Sequence, residues 1–382
     1  MVYWNDQDVI CATIGGIAIA ISTTLNLVLF GRITGLSGTF NSVIKMDRTA
    51  GFDYKLTFFV GLFTIPALLF QIFGNFVEAG TYTLIMFDTN EEIAMKQNVA
   101  AWIIGGLLVG WGTRMGNGCT SGHGVCGMPR LAPRSIVAVM TFMGSGFGIA
   151  TLRYYVPFLT GGPSFGEEYD KTWPWVSLGI LCAGNLIAFV VTMSTGGRRL
   201  ELFISYILGL IFGFGLVISG MTRISKIQNF LIIGSVWDPS LAFVMFSAVT
   251  INFFTFNYAL KKLQKPLIKV DGDKMCIPPR GTIDARLIIG AAIFGLGWGL
   301  CGLCPGPGLL VFFSMSHGIL FIISLIAGQL AFDYSLQYIN KRSQEVKSIV
   351  KTVIQQAKDE RGPGQYSQMD DETGNEPTPK VQ

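Results

Sequence analysis

The stretch Gly105–Gly124, GGLLVGWGTRMGNGCTSGHG, begins as an apolar helix and then cannot continue as one. From Gly116 onward glycines and small polar residues replace the apolar side chains, and lipid-compatible sequence resumes only near Ser135. The interruption recurs at Gly290–Leu309, GAAIFGLGWGLCGLCPGPGL. Laid over one another without a gap at an offset of 185, the stretches match Gly105 with Gly290, Gly110 with Gly295, Gly112 with Gly297 and Cys119 with Cys304. A repeat that shares helix-packing glycines and one cysteine at a helix break predicts two related halves, each with a membrane helix that stops part-way.

Composition identifies the solvent. Half of the residues are hydrophobic, 14% are charged and the mean hydropathy is +0.50, far from the usage of a water-soluble domain. The 47 glycines suit membrane helices, whose backbones approach closely where side chains are small. A formal charge of +4 does not point to nucleic acid, because Lys and Arg are scattered over loops without forming a patch. Seven cysteines are an odd number, and Cys11, Cys119, Cys182, Cys301 and Cys304 lie in or beside apolar runs. That usage argues against a secreted disulfide framework. The opening MVYWNDQDVI has no basic n-region, so the first apolar run is expected to be a span and not a cleaved signal peptide.

A bilayer core about 30 Å thick needs helices of roughly 17–25 apolar residues. Nine are predicted, near 10–30, 56–75, 98–115, 134–152, 174–193, 202–219, 240–260, 285–301 and 308–328. Residues 36–47 and 220–234 read as short helices after the first and sixth spans. Four spans precede the fifth and four follow it, so an odd connector turns the second half over relative to the first. The expected fold class is an all-α membrane protein with about nine transmembrane helices in two inverted-topology repeats, its broken, re-entrant short helices meeting near the midplane. The expected divisions are a first transport repeat at 1–155, a connecting segment with the fifth helix at 156–200 and a second transport repeat at 201–340. A cytoplasmic amphipathic helix and disordered tail follow at 341–382. Val346, Ile349, Val350, Val353 and Ile354 recur there at helical spacing, and from Arg361 on the apolar content is too low to fold.

Charge orients the chain. One alternating set of loops carries sixteen Lys and Arg residues, and the other carries only Lys96, Arg153, Lys171, Arg223 and Lys226. The positive-inside rule then puts the N-terminus outside and the C-terminus in the cytoplasm, with the cell membrane as the expected location. The acidic run 88–92 falls on the outer side.

At the breaks, glycines free the backbone and keep side chains away from its amides. A helix starting after such a break points unpaired N–H groups at whatever fills it, and those groups attract anions. Four starts qualify, after Gly35-Leu36-Ser37-Gly38, Gly118-Cys119, Ser219-Gly220 and Cys304-Pro305. The candidate substrate path comprises Cys119, Cys304, Thr120, Ser121, His123, Gly118, Gly122, Cys301, Ser37 and Gly38. Amides and hydroxyls there address oxygen, whereas thiols are soft and suit sulfur. A lone cysteine among glycines is usually a packing residue; a repeat-matched pair at two breaks asks for more. His123 reads either as an anion or proton ligand or as a structural hydrogen-bonding residue, and His317 as a packing residue on the ninth span. Arg114 and Arg223 adjoin breaks, where they attract anions or snorkel to the interface. Cys126 with His123 is too sparse for a metal centre, and no cofactor is expected.

The segments GNGCTSGHGVCGMPRLAPRSIVAVMTFM, containing the Arg130 and Arg134 pair, and GWGLCGLCPGP resemble the YeeE/YedE sulfur-transport family, which includes bacterial thiosulfate uptake transporters. The resemblance covers roughly residues 11–335. It implies that cysteines along a narrow central path pass the ion by transient S–H···S hydrogen bonds, a role falling here on Cys119 and Cys304. A third family cysteine lies near the first break, where this chain has GRITGLSG, with Ser37 and no thiol. The expected function is transport of a small sulfur-containing anion, thiosulfate or a related species, across a lipid bilayer, with no nucleic-acid partner and no enzymatic step. Two alternatives stand beside it. One is a membrane thiol–disulfide oxidoreductase using Cys301 and Cys304, which form C-x-x-C; the other is a passive anion channel.

Overall fold

The computed structural model describes residues 4–48, 51–74, 76–79, 82–88, 98–156, 158, 173–263, 265–268, 275–277, 282–315 and 317–361, without the side chains of 76–79, 82 and 357–361. Up to Phe332 the chain forms one compact unit. Among the described residues the regular structure is helical apart from a small antiparallel hairpin, β1 (Phe76–Ala79) with β2 (Tyr82–Ile85), which the sequence reading did not anticipate.

The first half runs α1 (Asp6–Phe30), α2 (Leu36–Ile44), α3 (Phe52–Phe73), the hairpin, α4 (Val99–Met115), the short wide-wound α5 (Thr120–Gly127) and α6 (Pro133–Tyr155). After α7 (Trp173–Ser194) the same order of long and short helices returns. It reads α8 (Arg199–Ile218), α9 (Ile224–Leu231), α10 (Ser240–Lys262), α11 (Ala285–Cys301), α12 (Pro305–Ser314) and α13 (Gly318–Arg361). Helices α4 and α11 each have 17 residues. The protein is an integral, multi-pass membrane protein. By length and hydropathy eight stretches among the described residues are able to cross a bilayer, with Val99–Met115 as a shorter apolar ninth.

One boundary needs correction. Hydropathy alone reads Ala285–Ser314 as a single span, and the sequence reading set the ninth span at 308–328. The backbone instead breaks twice. Gly302 takes a left-handed conformation with φ 68°, and Met315 is extended after α12. The ninth long helix therefore begins at Gly318, and His317 lies in the turn before it, not on the span. Residues 302–328 carry no charged side chain that would mark these breaks in a hydropathy trace.

The glycines decide which helices meet. In α1 and α8, Gly15 faces Gly215 and Ser219, and the Ser22 hydroxyl donates to Leu208 O at 2.7 Å. The pairings descend in one helix as they rise in the other, so α1 and α8 are antiparallel. The same holds for α4 and α11, where Gly105 meets Gly297 and Cys301 while Gly112 meets Gly290 and Phe294. A Cβ on Gly112 would lie 2.3 Å from Phe294 N, so only hydrogen fits. By contrast α3 and α8 are parallel, with Gly209 against Phe58 and Gly213 against Leu62 and Pro66. Their counterparts α10 and α1 are parallel too, joined by Ser247 to Thr13 O and by Asn252 to Thr23.

From Asp333 the chain forms a second unit, the continuation of α13 to Arg361. Val346, Ile349, Val350, Val353 and Ile354 are exposed along it at the expected spacing. The expected disordered tail beyond Arg361 lies outside the described residues, as do residues 89–92 of the acidic run.

Candidate functional site

Four short helices start at chain breaks, and the starts of three of them, α2, α5 and α12, face one constriction of about 20 Å³. Leu36 comes from α2, Cys119, Thr120 and Ser121 from the start of α5, Met221 from the segment before α9, and Cys304, Gly306 and Pro307 from the start of α12. Apolar side chains of the long helices close the rest of the wall, among them Ile19, Phe212, Leu216 and Val244. Cys119 is the residue capping the N-terminus of α5, with φ −125° and ψ −168°. Cys304 caps α12 with φ −102° and ψ 167°. The repeat-matched thiols thus occupy the same position in the same extended conformation, 1% and 4% exposed. An extended capping residue is what lets the next amides turn into a helix.

Hydroxyls attend both thiols, and both hydroxyls come from the first half. Ser121 Oγ lies 3.1 Å from Cys119 Sγ, with either atom able to donate. The same Ser121 oxygen accepts from Leu36 N at 3.1 Å, using one of the amides left unpaired at the start of α2. Thr120 donates across the halves to Cys304 Sγ at 3.8 Å. The wide winding of α5 is held from outside: Asn252 Nδ2 in α10 donates to Val125 O at 2.8 Å, and Cys126 Sγ donates to Thr34 O at 3.4 Å. Asn252 was missed in the sequence reading, although a lone Asn in the middle of an apolar span was a usable signal.

Below the constriction opens a vestibule of about 480 Å³. Ser37, Gly38, Gly118, Gly122 and His123 line it, and so do Lys55, Arg114, Arg130 and Arg134. None of its lining residues is acidic, so its field favours anions. Arg134 is offset in part by Asp284 at 3.5 Å and donates to Thr282 O. His123 hydrogen-bonds through both ring nitrogens, Nε2 to Gly116 O at 3.1 Å and Nδ1 with Ser135 Oγ at 3.2 Å. A carbonyl can only accept, so Nε2 carries the proton and Nδ1 accepts from the serine. That arrangement suits a structural histidine. Gly118 is glycine because a Cβ would lie 2.6 Å from His123 Nε2.

Of the candidates, nine are brought to the constriction or the vestibule. Cys301 sits elsewhere: its thiol donates to Gly297 O at 3.1 Å and lies against Gly105 in the α4–α11 seam. All seven cysteines are free thiols. Arg223 belongs to an ion cluster with Asp8 and Asp88, at the other end of α1 from the vestibule. Among the described residues no group of three or more His, Cys, Asp or Glu side chains is placed to hold a metal ion.

A family model described as sulphur transport matches residues 8–149, from α1 to α6. The model of a family of unknown function (DUF6691) matches residues 200–345, from α8 into α13. A "Probable transporter" of Xylella fastidiosa strain Temecula1 is 40% identical over 138 residues, covering 36% of this chain and 90% of that relative. A "Probable transporter" of strain 9a5c is 39% identical over 130 residues, covering 33% of this chain and 84% of the relative. The chain belongs to the YeeE/YedE-like sulphur-transport family. Membership makes its role transport, with a sulfur compound as the substrate class. These relatives match about a third of this chain while being covered almost end to end, so one relative corresponds to less than one full set of the helices described above.

Proposed function

We propose that the protein takes up a small sulfur-containing anion, thiosulfate first among the candidates, through the constriction between Cys119 and Cys304. The chain is organised as two inverted-topology repeats, 1–155 and 201–340, with 156–200 as connector. The N-terminus lies outside, the C-terminus in the cytoplasm, and the cell membrane is the host. Antiparallel packing of the equivalent pairs α1 with α8 and α4 with α11 supports the inversion.

The observation that carries the reading is the pair of thiols capping equivalent short helices at one narrow point. An ionised group stranded in hydrocarbon costs on the order of tens of kcal/mol by an idealised Born estimate. One helix N-terminus returns only about 0.3–2 kcal/mol. A single half-helix therefore cannot hold an oxyanion, and three converging starts with a basic vestibule beneath them are a more adequate answer. The thiols add what amides and hydroxyls lack, a soft donor for a terminal sulfur. A continuously open channel fits less well, since the constriction has room for only about 20 Å³. The test is uptake of labelled thiosulfate into proteoliposomes, with unlabelled thiosulfate and sulfate as competitors. Thiosulfate is expected to displace the label and sulfate to compete weakly; equal competition by both would sink the assignment of sulfur recognition to the thiols.

A further inference from the structure

The ends of the antiparallel α1–α8 pair are tied by two buried ion clusters, and each tie joins one half to the other. Near the vestibule, Arg32 at the end of α1 donates to Glu201 in the first turn of α8 at 2.6 Å, and Arg198 reaches the same carboxylate at 2.7 Å. Tyr54 lies beneath Arg32, 3.7 Å from its guanidinium carbon to the ring centroid. At the opposite end, Lys226 of α9 meets Asp8 in the first turn of α1 at 2.8 Å. Arg223 lies 4.0 Å from Asp8 and 3.5 Å from Asp88. A 25-residue helix rises roughly 37 Å at 1.5 Å per residue, so the two ties stand on opposite faces of the membrane.

The two ties differ in what they hold. Glu201 and Arg32 bind helix to helix. The second cluster binds a segment: Asp88 accepts from Ser225 N at 2.7 Å and from Ser225 Oγ at 2.6 Å, and Thr222 donates to Met86 O. Met86, Phe87 and Asp88 are 1%, 1% and 3% exposed, so the chain after β2 is drawn down onto the start of α9. Met221, just before that helix, is part of the constriction wall. On the vestibule side the path is open as far as Gly118 and Gly122. On the α9 side stands the cluster of Asp8, Asp88, Arg223 and Lys226, with Asp238 also within electrostatic reach of Lys226.

We infer that Asp8, Asp88, Arg223 and Lys226 form a latch that closes the path on the face opposite the vestibule, and that an arriving anion opens it by taking the two cations from their carboxylates. The inference rests on the transport reading above. Its logic is charge competition. Asp8 holds Lys226 by a charge-assisted hydrogen bond, and the two carboxylates hold Arg223 by attraction at 3.5–4.0 Å; a sulfur oxyanion supplies both. Released from its cations, Asp8 no longer ties α1 to α9, and the 86–88 segment is left held to α9 only by the Asp88–Ser225 and Thr222–Met86 hydrogen bonds. The vestibule-side tie, where Cys276 N also donates to Gly31 O beside Arg32, binds helix to helix and stays closed, as a pivot.

The experiment labels the full-length protein in proteoliposomes with a membrane-impermeant thiol reagent, added from one face at a time. Mass spectrometry then reads modification of Cys119 and Cys304. In the native protein, labelling from the latch face is slow and rises when thiosulfate is present. Asp8→Asn with Asp88→Asn keeps an amide oxygen to cap α9 but removes both charges. It should speed labelling from that face about ten-fold or more and leave the vestibule face unchanged. Asp8→Asn alone leaves the α9 cap intact, guards against misfolding and should give a smaller rise in the same direction. Native labelling rates in both variants, or an equal rise from both faces, would overturn the latch. Failure of the native protein to take up any sulfur anion would instead overturn the transport reading, and the labelling contrast would stand apart from it.

Discussion

The break at Cys119 and the break at Cys304 put a thiol at the same capping position, yet the chain around each is of opposite character. After Cys119 come Thr120, Ser121 and His123, wound into a wide helix that needs Asn252 and Cys126 for external support. After Cys304 comes Pro-Gly-Pro-Gly and then Leu309 to Phe313, a compact α-helix whose side chains are apolar until Ser314. Proline at its first position is pre-set for helix and gives up no hydrogen bond. The second break therefore supports itself, while the first is assembled from neighbours. What the difference teaches is a division of labour. The first half brings both hydroxyls and the lining of the vestibule, and the second brings a rigid thiol that borrows Thr120 across the interface.

The largest break of this comparison would be to separate the halves. Gly112→Val sets a Cβ within 2.3 Å of Phe294 N and 2.7 Å of its Cα, both backbone atoms that cannot step aside. Overpacking of a core costs about 1–3 kcal/mol where side chains can adjust, and here they cannot. Loss of the monodisperse species in size-exclusion chromatography is the expected outcome. Gly144→Ala on α6, where an added Cβ meets nothing within 4 Å, should leave the elution profile and thermal midpoint as they are. If both variants behave alike, the α4–α11 seam does not hold the halves together.

Next in size is the thiol pair itself. Cys119→Ala and Cys304→Ala are each expected to abolish uptake in a protein of native thermal stability, whereas Cys182→Ala, exposed on α7, should change nothing. The serine variants sharpen the point. Cys119→Ser keeps a hydroxyl donor of similar shape and removes the soft one, so thiosulfate uptake should fall by more than any residual sulfate uptake. Uniform loss across both anions would reduce the two cysteines to packing residues, however alike their backbone positions.

How much of this was legible beforehand follows from the range of each interaction. The spans, the glycine seams and the matched cysteines are written in local composition and in a repeat, and Gly105, Gly112, Gly290 and Gly297 do meet as helix contacts. The re-entrant α12 was blurred because Pro305 to Ile323 is apolar on both sides of the turn at Met315, so hydropathy saw one run where the backbone makes two. The hairpin at 76–85 is only four residues to a strand, below what alternation can reveal beside a strongly apolar helix. The polar pairings between the halves were not legible. Arg32 and Glu201 are 169 positions apart, and nothing in either neighbourhood names the other. The same distance hid the fate of Cys301, which shares a C-x-x-C spacing with Cys304 but turns into the α4–α11 seam.

The smallest expected effect concerns the borrowed hydroxyl. Thr120 Oγ1 donates to Cys304 Sγ at 3.8 Å, a long contact to a weak acceptor. On the proposed path, a hydroxyl that donates to the sulfur would leave the thiol hydrogen of Cys304 free to donate to an incoming anion. Thr120→Val keeps the volume and the β-branch while deleting the hydroxyl, so helix α5 should still form. A net hydrogen bond contributes about 0.5–1.5 kcal/mol, which corresponds to roughly a two- to ten-fold fall in thiosulfate uptake. Thr120→Ser should restore most of it. The effect should also vanish in a Cys304→Ser background, where the acceptor sulfur is gone, and it should persist in Cys182→Ala. A two-fold or larger loss that is the same in the presence and absence of Cys304 would mean that Thr120 acts on the path by itself. The second thiol would then stand without help from the first half, and the division of labour between the two breaks would fail at its weakest joint.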